Sequence, residues 1–143
     1  MDIHNLENAK KMLLEGNYTC VLCHEDCCHT SSLRGVKPLV QWYASGADFS
    51  RFAAADKVIG RATAFLYQLM GIRTVYAHVI SRPALAVFDA HGVYVRYGQL
   101  VDNIINRQGT GICPFEEAVL SIEDPAEALR AIREKMHRMG ISL

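Results

Sequence analysis

Residues 73–98 carry the pattern that most limits what this chain can become. A near-continuous apolar run, RTVYAHVI, is followed by SRPALAVFDAHG and then by a second strand-like run, VYVRYG. The first run lacks polar alternation, as expected of a strand covered on both faces. In the middle segment Pro83 suits a first helical turn, and Gly92 falls just past the end of a helix. A strand, a helix and a strand in that order form a crossover, which sets the two strands parallel in one sheet. The pattern predicts an α/β protein.

The flanking sequence extends the alternation. Leu6, Ala9, Lys10, Leu13 and Leu14 recur at i, i+3, i+4 spacing and stop at Gly16-Asn17, which predicts an N-terminal helix. Residues 18–33 read as a hairpin turning at Glu25-Asp26. RGVKPLVQWYASG predicts a turn and a short helix from Pro38 to Ser45. The segment GADFSRFAAADK reads as a loop leading into a helix, KVIGRATAFLYQLMG, that opens at Asp56-Lys57 and stops at Gly71. Val58, Ile59, Ala62, Phe65, Leu66, Leu69 and Met70 would form its apolar face. His78, on the apolar run, is expected in the core. A further helix starts at Pro114, and DPAEALRAIREKMHRMG predicts the last, with Asp124 as cap and Glu127 at capping-box spacing. No repeat or linker interrupts residues 1–143, so the chain reads as a single domain. The expected architecture is a three-layer α/β/α sandwich with a mixed sheet, in which ligands meet the carboxyl ends of parallel strands.

Composition narrows the function classes. Fifteen basic and fifteen acidic residues balance to zero net charge, which gives no support to nucleic-acid binding. No apolar run approaches the roughly 20 residues of a membrane span. The stretch MDIHNLENAKKMLLEGN is polar and helical in pattern, unlike a signal peptide, so the expected setting is the cytoplasm. There the five cysteines would be thiols.

Four of them fall in CVLCHEDCCHT, which contains the C-x-x-C-H spacing of a haem attachment site. On a strand, however, Cys20 and Cys23 point to opposite faces, whereas a zinc site needs thiolates converging from a turn. No second C-x-x-C or H-x-x-x-H follows. Cys20, Cys23, Cys27 and Cys28 therefore read as strand cysteines, with adventitious metal uptake left open, and no cofactor is called for.

Three polar segments fall at predicted element boundaries. Ser32, Arg34 and Lys37 follow the hairpin. Asp56 and Lys57 stand at the predicted mouth of the long helix. Asn106, Arg107, Gly109, Thr110, Gly111 and Cys113 precede the helix start at Pro114. Glycines let backbone N–H groups approach an anion, helix N-termini favour negative charge, and arginine binds phosphate or carboxylate bidentately. A thiol at a helix N-terminus, as expected of Cys113, is a candidate nucleophile. Each segment also reads as a plain cap or turn. As a set they suggest one cleft in which the amides of Gly109 to Gly111 meet the helix mouth at Lys57.

The blocks TSSLRGVKPL, AADKVIGRATA and IINRQGTGICPFEEAV resemble those of a family of small bacterial proteins of unknown function with a cytidine-deaminase-like fold. The resemblance runs from about Asn8 to Arg133. It implies the fold and does not imply a reaction. Zinc deaminases carry H-x-E or C-x-E at one helix mouth and P-C-x-x-C at the next. Here the corresponding places read Asp56-Lys57-Val58 and Ser81-Arg82-Pro83-Ala84, without zinc ligands or a proton-shuttling glutamate. Two readings remain. One is a module that binds a nucleotide or nucleotide-derived ligand. The other is a non-zinc enzyme acting on such a ligand, with Cys113 or Asp56 as nucleophile. A self-associating scaffold, such as a homodimer packed through the sheet as the resemblance implies, is a third and blander outcome.

Overall fold

The computed structural model of the protein describes residues 3–142. The elements in order are α1 (Ile3–Glu15), β1 (Cys20–His24), β2 (Cys27–Ser31), α2 (Lys37–Ala44), β3 (Ala53–Ile59), α3 (Arg61–Leu69), β4 (Thr74–Ser81), α4 (Arg82–Ala90), β5 (Tyr94–Val101), α5 (Pro114–Ala118) and α6 (Pro125–Arg138). The strands form one sheet in the order β2-β1-β3-β4-β5. β1 pairs antiparallel with both β2 and β3, while β3, β4 and β5 run parallel. The result is a mixed α/β fold with a five-stranded mixed sheet.

Most local signals act as expected. The hairpin turns at Glu25-Asp26, with Glu25 in the left-handed region at φ 53°. That conformation costs a non-glycine residue about 1–2 kcal/mol, and a hydrogen bond from the Glu25 N–H to Asn5 Oδ1 at 2.8 Å ties the turn to α1. Pro38, Pro83, Pro114 and Pro125 each sit in a first helical turn. Asp124 caps α6 by accepting the N–H of Glu127 at 3.1 Å.

One expectation is overturned. Residues 53–59 are a strand, so Asp56 and Lys57 lie on β3 and not at a helix mouth. The helix begins only at Arg61, after Gly60. The alanine-rich AAADKVI mimics a helix start because it lacks two-residue alternation. It lacks alternation because both faces of this central strand are covered. Ala53 and Ala55 pack with Leu6, Ala9 and Leu13 of α1, alongside Val21, Cys23 and Tyr76. Ala54 faces the other way, into a larger cluster holding Cys20, Leu22, Val75, Ala77 and Ile80 with Leu39, Phe65, Phe88 and Ile132 from α2, α3, α4 and α6. Tertiary burial overrides alanine's helical preference.

His78 also departs from expectation, being exposed. It shares a strand face with Tyr76, which packs among the residues under α1, but lies farther along β4. Cys20 and Cys23 point to opposite faces, as the alternation requires, and all five cysteines are free thiols.

Candidate functional site

The parallel strands β3, β4 and β5 end at one edge of the sheet. Because β1 runs antiparallel, with Cys20 opposite Asp56 and Ser31 opposite Cys20, the segment after β2 emerges at the same edge. Topology thus brings the start of the first polar segment beside the second. Ser32 is exposed and donates its hydroxyl to the Asn17 carbonyl at 2.9 Å. Arg34 is exposed, and Lys37 is half-buried in the first turn of α2.

The third segment reaches this edge through α5. Glu116 is 8% exposed, and its carboxylate accepts the N–H of Arg61 at 2.6 Å and of Ala62 at 2.9 Å. It therefore fills the N-terminus of α3 and meets the orphan donors there. A Cβ on Gly60 would lie 2.4 Å from the Glu116 Cδ, so only glycine leaves room for the carboxylate. The Arg61 side chain grips the chain just past α5 by donating to the carbonyls of Val119 and Ile122. Next to Glu116, the Phe115 ring would lie 3.9 Å from a Cβ on Gly35 in the first segment. Phe115 and Glu116 thus tie the start of α5 to Gly35, which follows Arg34, and to Gly60 and Arg61, which follow β3.

The N-terminus of α4, at the same edge, is closed in a similar way. Buried Ser81 accepts the N–H of Ala84 at 3.2 Å. Both helix mouths are occupied by the protein's own side chains.

Beneath the edge lies a buried polar chain. Tyr67 of α3 donates its hydroxyl to Asp56 Oδ2 at 2.6 Å and stands 3.0 Å from the Cys20 thiol. The Val58 N–H reaches Asp56 Oδ1 at 3.3 Å. Burial pushes the Asp56 carboxyl up to about 7, and the hydrogen bonds from Tyr67 and the backbone oppose that rise only in part. Burial also raises the Cys20 thiol, with the Asp56 charge adding to it, and the Tyr67 hydroxyl for the same two reasons. The Glu116 carboxyl is raised by burial against the pull of its two backbone donors.

The remaining predicted residues are placed less centrally. Lys57 is exposed, and its N–H donates to the Thr19 carbonyl at 3.0 Å. The Asn106–Gly111 stretch is a turn closed on itself, flanked by a bridge between Ile105 and Ile112. Asn106 Oδ1 accepts the Thr110 N–H at 3.0 Å, and the Gly109 N–H donates to the Asn106 carbonyl at 3.1 Å. Gly109 adopts φ 73°, which explains the glycine. The amides of Gly109 and Thr110 are thus already committed to this turn. Arg107 and Gly111 are exposed at its surface, and Cys113 is half-buried against the core.

Sequence reasoning missed Glu116, Gly60 and Tyr67. Tyr67 offered one signal, a hydroxyl within an otherwise apolar helix. Glu116 offered none, since its partners are 55 and 54 positions away.

Among the described residues no group of three or more His, Cys, Asp or Glu is placed to hold a metal ion, and no helix is long and apolar enough to cross a membrane. No match is found among curated proteins. In solved structures the chain is similar to a DUF1893 family protein (TM1506) from Thermotoga maritima, whose crystal structure was determined at 2.70 Å. The identity is 25%, the TM-score 0.83, and the match covers 94% of this chain and 92% of the other. A family model described as TM1506, a domain of unknown function (DUF1893), matches residues 8–136, and the chain belongs to that family.

Proposed function

We propose that this chain is a cytoplasmic binding domain for a nucleotide or nucleotide-derived ligand, built on a three-layer α/β/α, cytidine-deaminase-like scaffold. Support for the scaffold comes from the strand order and from the helices packed against opposite faces of β3. The observation that carries the binding reading is the tie that Phe115 and Glu116 make from the start of α5 to Gly35 and to Gly60 and Arg61, on the edge where open α/β sheets take ligands.

The same observation changes which groups would hold the ligand. With Glu116 in the mouth of α3 and Ser81 in that of α4, the amides of these two helices are not the phosphate partners. That role falls to exposed Lys57, Arg34 and Arg107, none of which has an ion pair among the described residues. Where a zinc deaminase places its metal ligands, this chain places two caps.

An enzymatic reading rests on Asp56. A carboxyl raised to about 7 and bonded to Tyr67 can both take up and release a proton near neutral pH, which suits proton transfer better than nucleophilic attack. Turnover of the bound nucleotide would favour it over simple binding.

The test is a thermal-shift panel of nucleoside mono- and diphosphates and dinucleotides on the purified protein. A hit is expected to raise the melting temperature. Lys57→Ala should weaken its binding by about 1–3 kcal/mol, the scale of a charge-assisted hydrogen bond, while the unliganded melting temperature stays put. If no nucleotide shifts the transition, or Lys57→Ala binds the hit as tightly as the parent, the reading fails.

A further inference from the structure

The opposite edge of the sheet holds a cleft that the reading above does not use. We propose that this cleft is a second, independent site, and that it binds a small organic molecule carrying a phosphate group. β3, β4 and β5 all begin at this edge and β1 ends there, which sets Ala53, Thr74, Tyr94 and His24 around one cavity of about 520 Å³. That volume falls within the range of small-molecule sites and exceeds what a lone inorganic anion needs.

The charge of the lining is one-sided. Arg51 enters from the connection before β3, and Arg73 from the connection before β4. Neither guanidinium has an ion pair with a described residue, and none of the described residues lining the cavity is acidic. The acid whose charge is coupled to Arg51 is Asp48, and its carboxylate is already engaged by the N–H and hydroxyl of Ser50 at 2.9 and 2.6 Å. Two cations in one concavity, neither in an ion pair with a described residue, favour a positive potential there.

The charge and donor set of the lining favour phosphate over a simple carboxylate. Each guanidinium offers a planar fork matched to two anionic oxygens. A phosphomonoester presents three terminal oxygens and a charge near −2, enough for both forks. Thr74 and Tyr94 line the same cavity, and each carries a hydroxyl that can supply a further donor. The Tyr94 N–H donates to the Arg73 carbonyl at 2.9 Å, which fixes the backbone that carries one fork. Gly92, which lines the cavity beside Arg73, adopts φ 68°, a conformation that favours glycine. The Phe52 ring, 5.5 Å from that of His24, gives an apolar wall for the organic part of the ligand.

The experiment is calorimetric titration with ribose 5-phosphate, and with ribose as the uncharged probe. The parent protein is expected to bind the phosphorylated sugar and not ribose. Arg51→Gln and Arg73→Gln should each weaken binding at least tenfold, and the double variant should show no binding, with melting temperatures confirming that all three remain folded. Arg133→Gln, which removes a surface charge on α6, should bind like the parent. The proposal is overturned if ribose 5-phosphate does not bind, if ribose binds equally well, if the double arginine variant keeps parental affinity, or if Arg133→Gln weakens binding as much as either cleft variant.

Discussion

Glu116 accepts the backbone N–H of Arg61 at 2.6 Å, joining α5 to the first turn of α3 across 55 positions of sequence. Removing that carboxylate leaves two donors of α3, those of Arg61 and Ala62, without their partner in a largely buried place. Glu116→Ala should therefore cost about 2–3 kcal/mol in urea unfolding, more than an exposed cap. Gly60→Ala should be as damaging, since its Cβ would meet the Glu116 side chain. The two penalties should not add, because without the carboxylate the new methyl group has nothing to strike. An additive double-mutant cycle would refute the contact as the source of both.

Asp56 makes stability depend on pH. Its carboxyl is raised from 3.8 to about 7 in the folded protein, so the folded state holds the proton more tightly than the unfolded chain. The contribution of this group is present in full below pH 3.8 and is lost as pH rises through about 7. Asp56→Asn should flatten that slope. Relative to the parent, it should be more stable at pH 8 than at pH 4, by ~3–4 kcal/mol at most. Urea titrations at the two pH values check it, and equal differences at both would count against a buried, shifted Asp56.

Tyr67→Phe removes the hydroxyl shared by Asp56 and Cys20 while leaving the ring in the core. A loss of about 1–3 kcal/mol is expected, the cost of leaving a buried acceptor without its donor. The Tyr67 bond also holds the Asp56 carboxyl down, so the pH at which stability falls should move upward in the variant. A carboxyl ¹³C titration of Asp56 reads that shift directly.

The thiols should react in an order set by burial. Cys27 is exposed, Cys28 and Cys113 are intermediate, and Cys20 and Cys23 are buried. Burial also raises the Cys20 thiol and lifts that of Cys23 to about 12, which keeps both in the unreactive protonated form. Alkylation of the folded protein, followed by peptide mass analysis, should modify Cys27 first. Cys20 and Cys23 should be modified only at the rate of unfolding.

What the sequence by itself determined is everything written in short-range physics. Prolines at helix starts, Asp124 as a cap, the Glu25-Asp26 turn and the apolar run of β4 each depend on neighbours within a few positions, and each was legible. The parallel pairing of β4 and β5 followed from the helix between them. Tertiary structure alone decided the identity of β3, because Ala53 to Ala55 become a strand only when α1 covers one face and the larger core covers the other. It also moved Asp56 from a supposed helix mouth to a buried bond with Tyr67, and it put Glu116 where an outside anion had been expected. Arg51 and Arg73 came to line one cavity in the same way, since parallel strands that begin at one edge bring their entry loops to that edge however far apart they lie in the chain. Periodicity and capping report the conformation of a few residues, whereas burial and charge pairing belong to contacts that exist only once the sheet has closed its register.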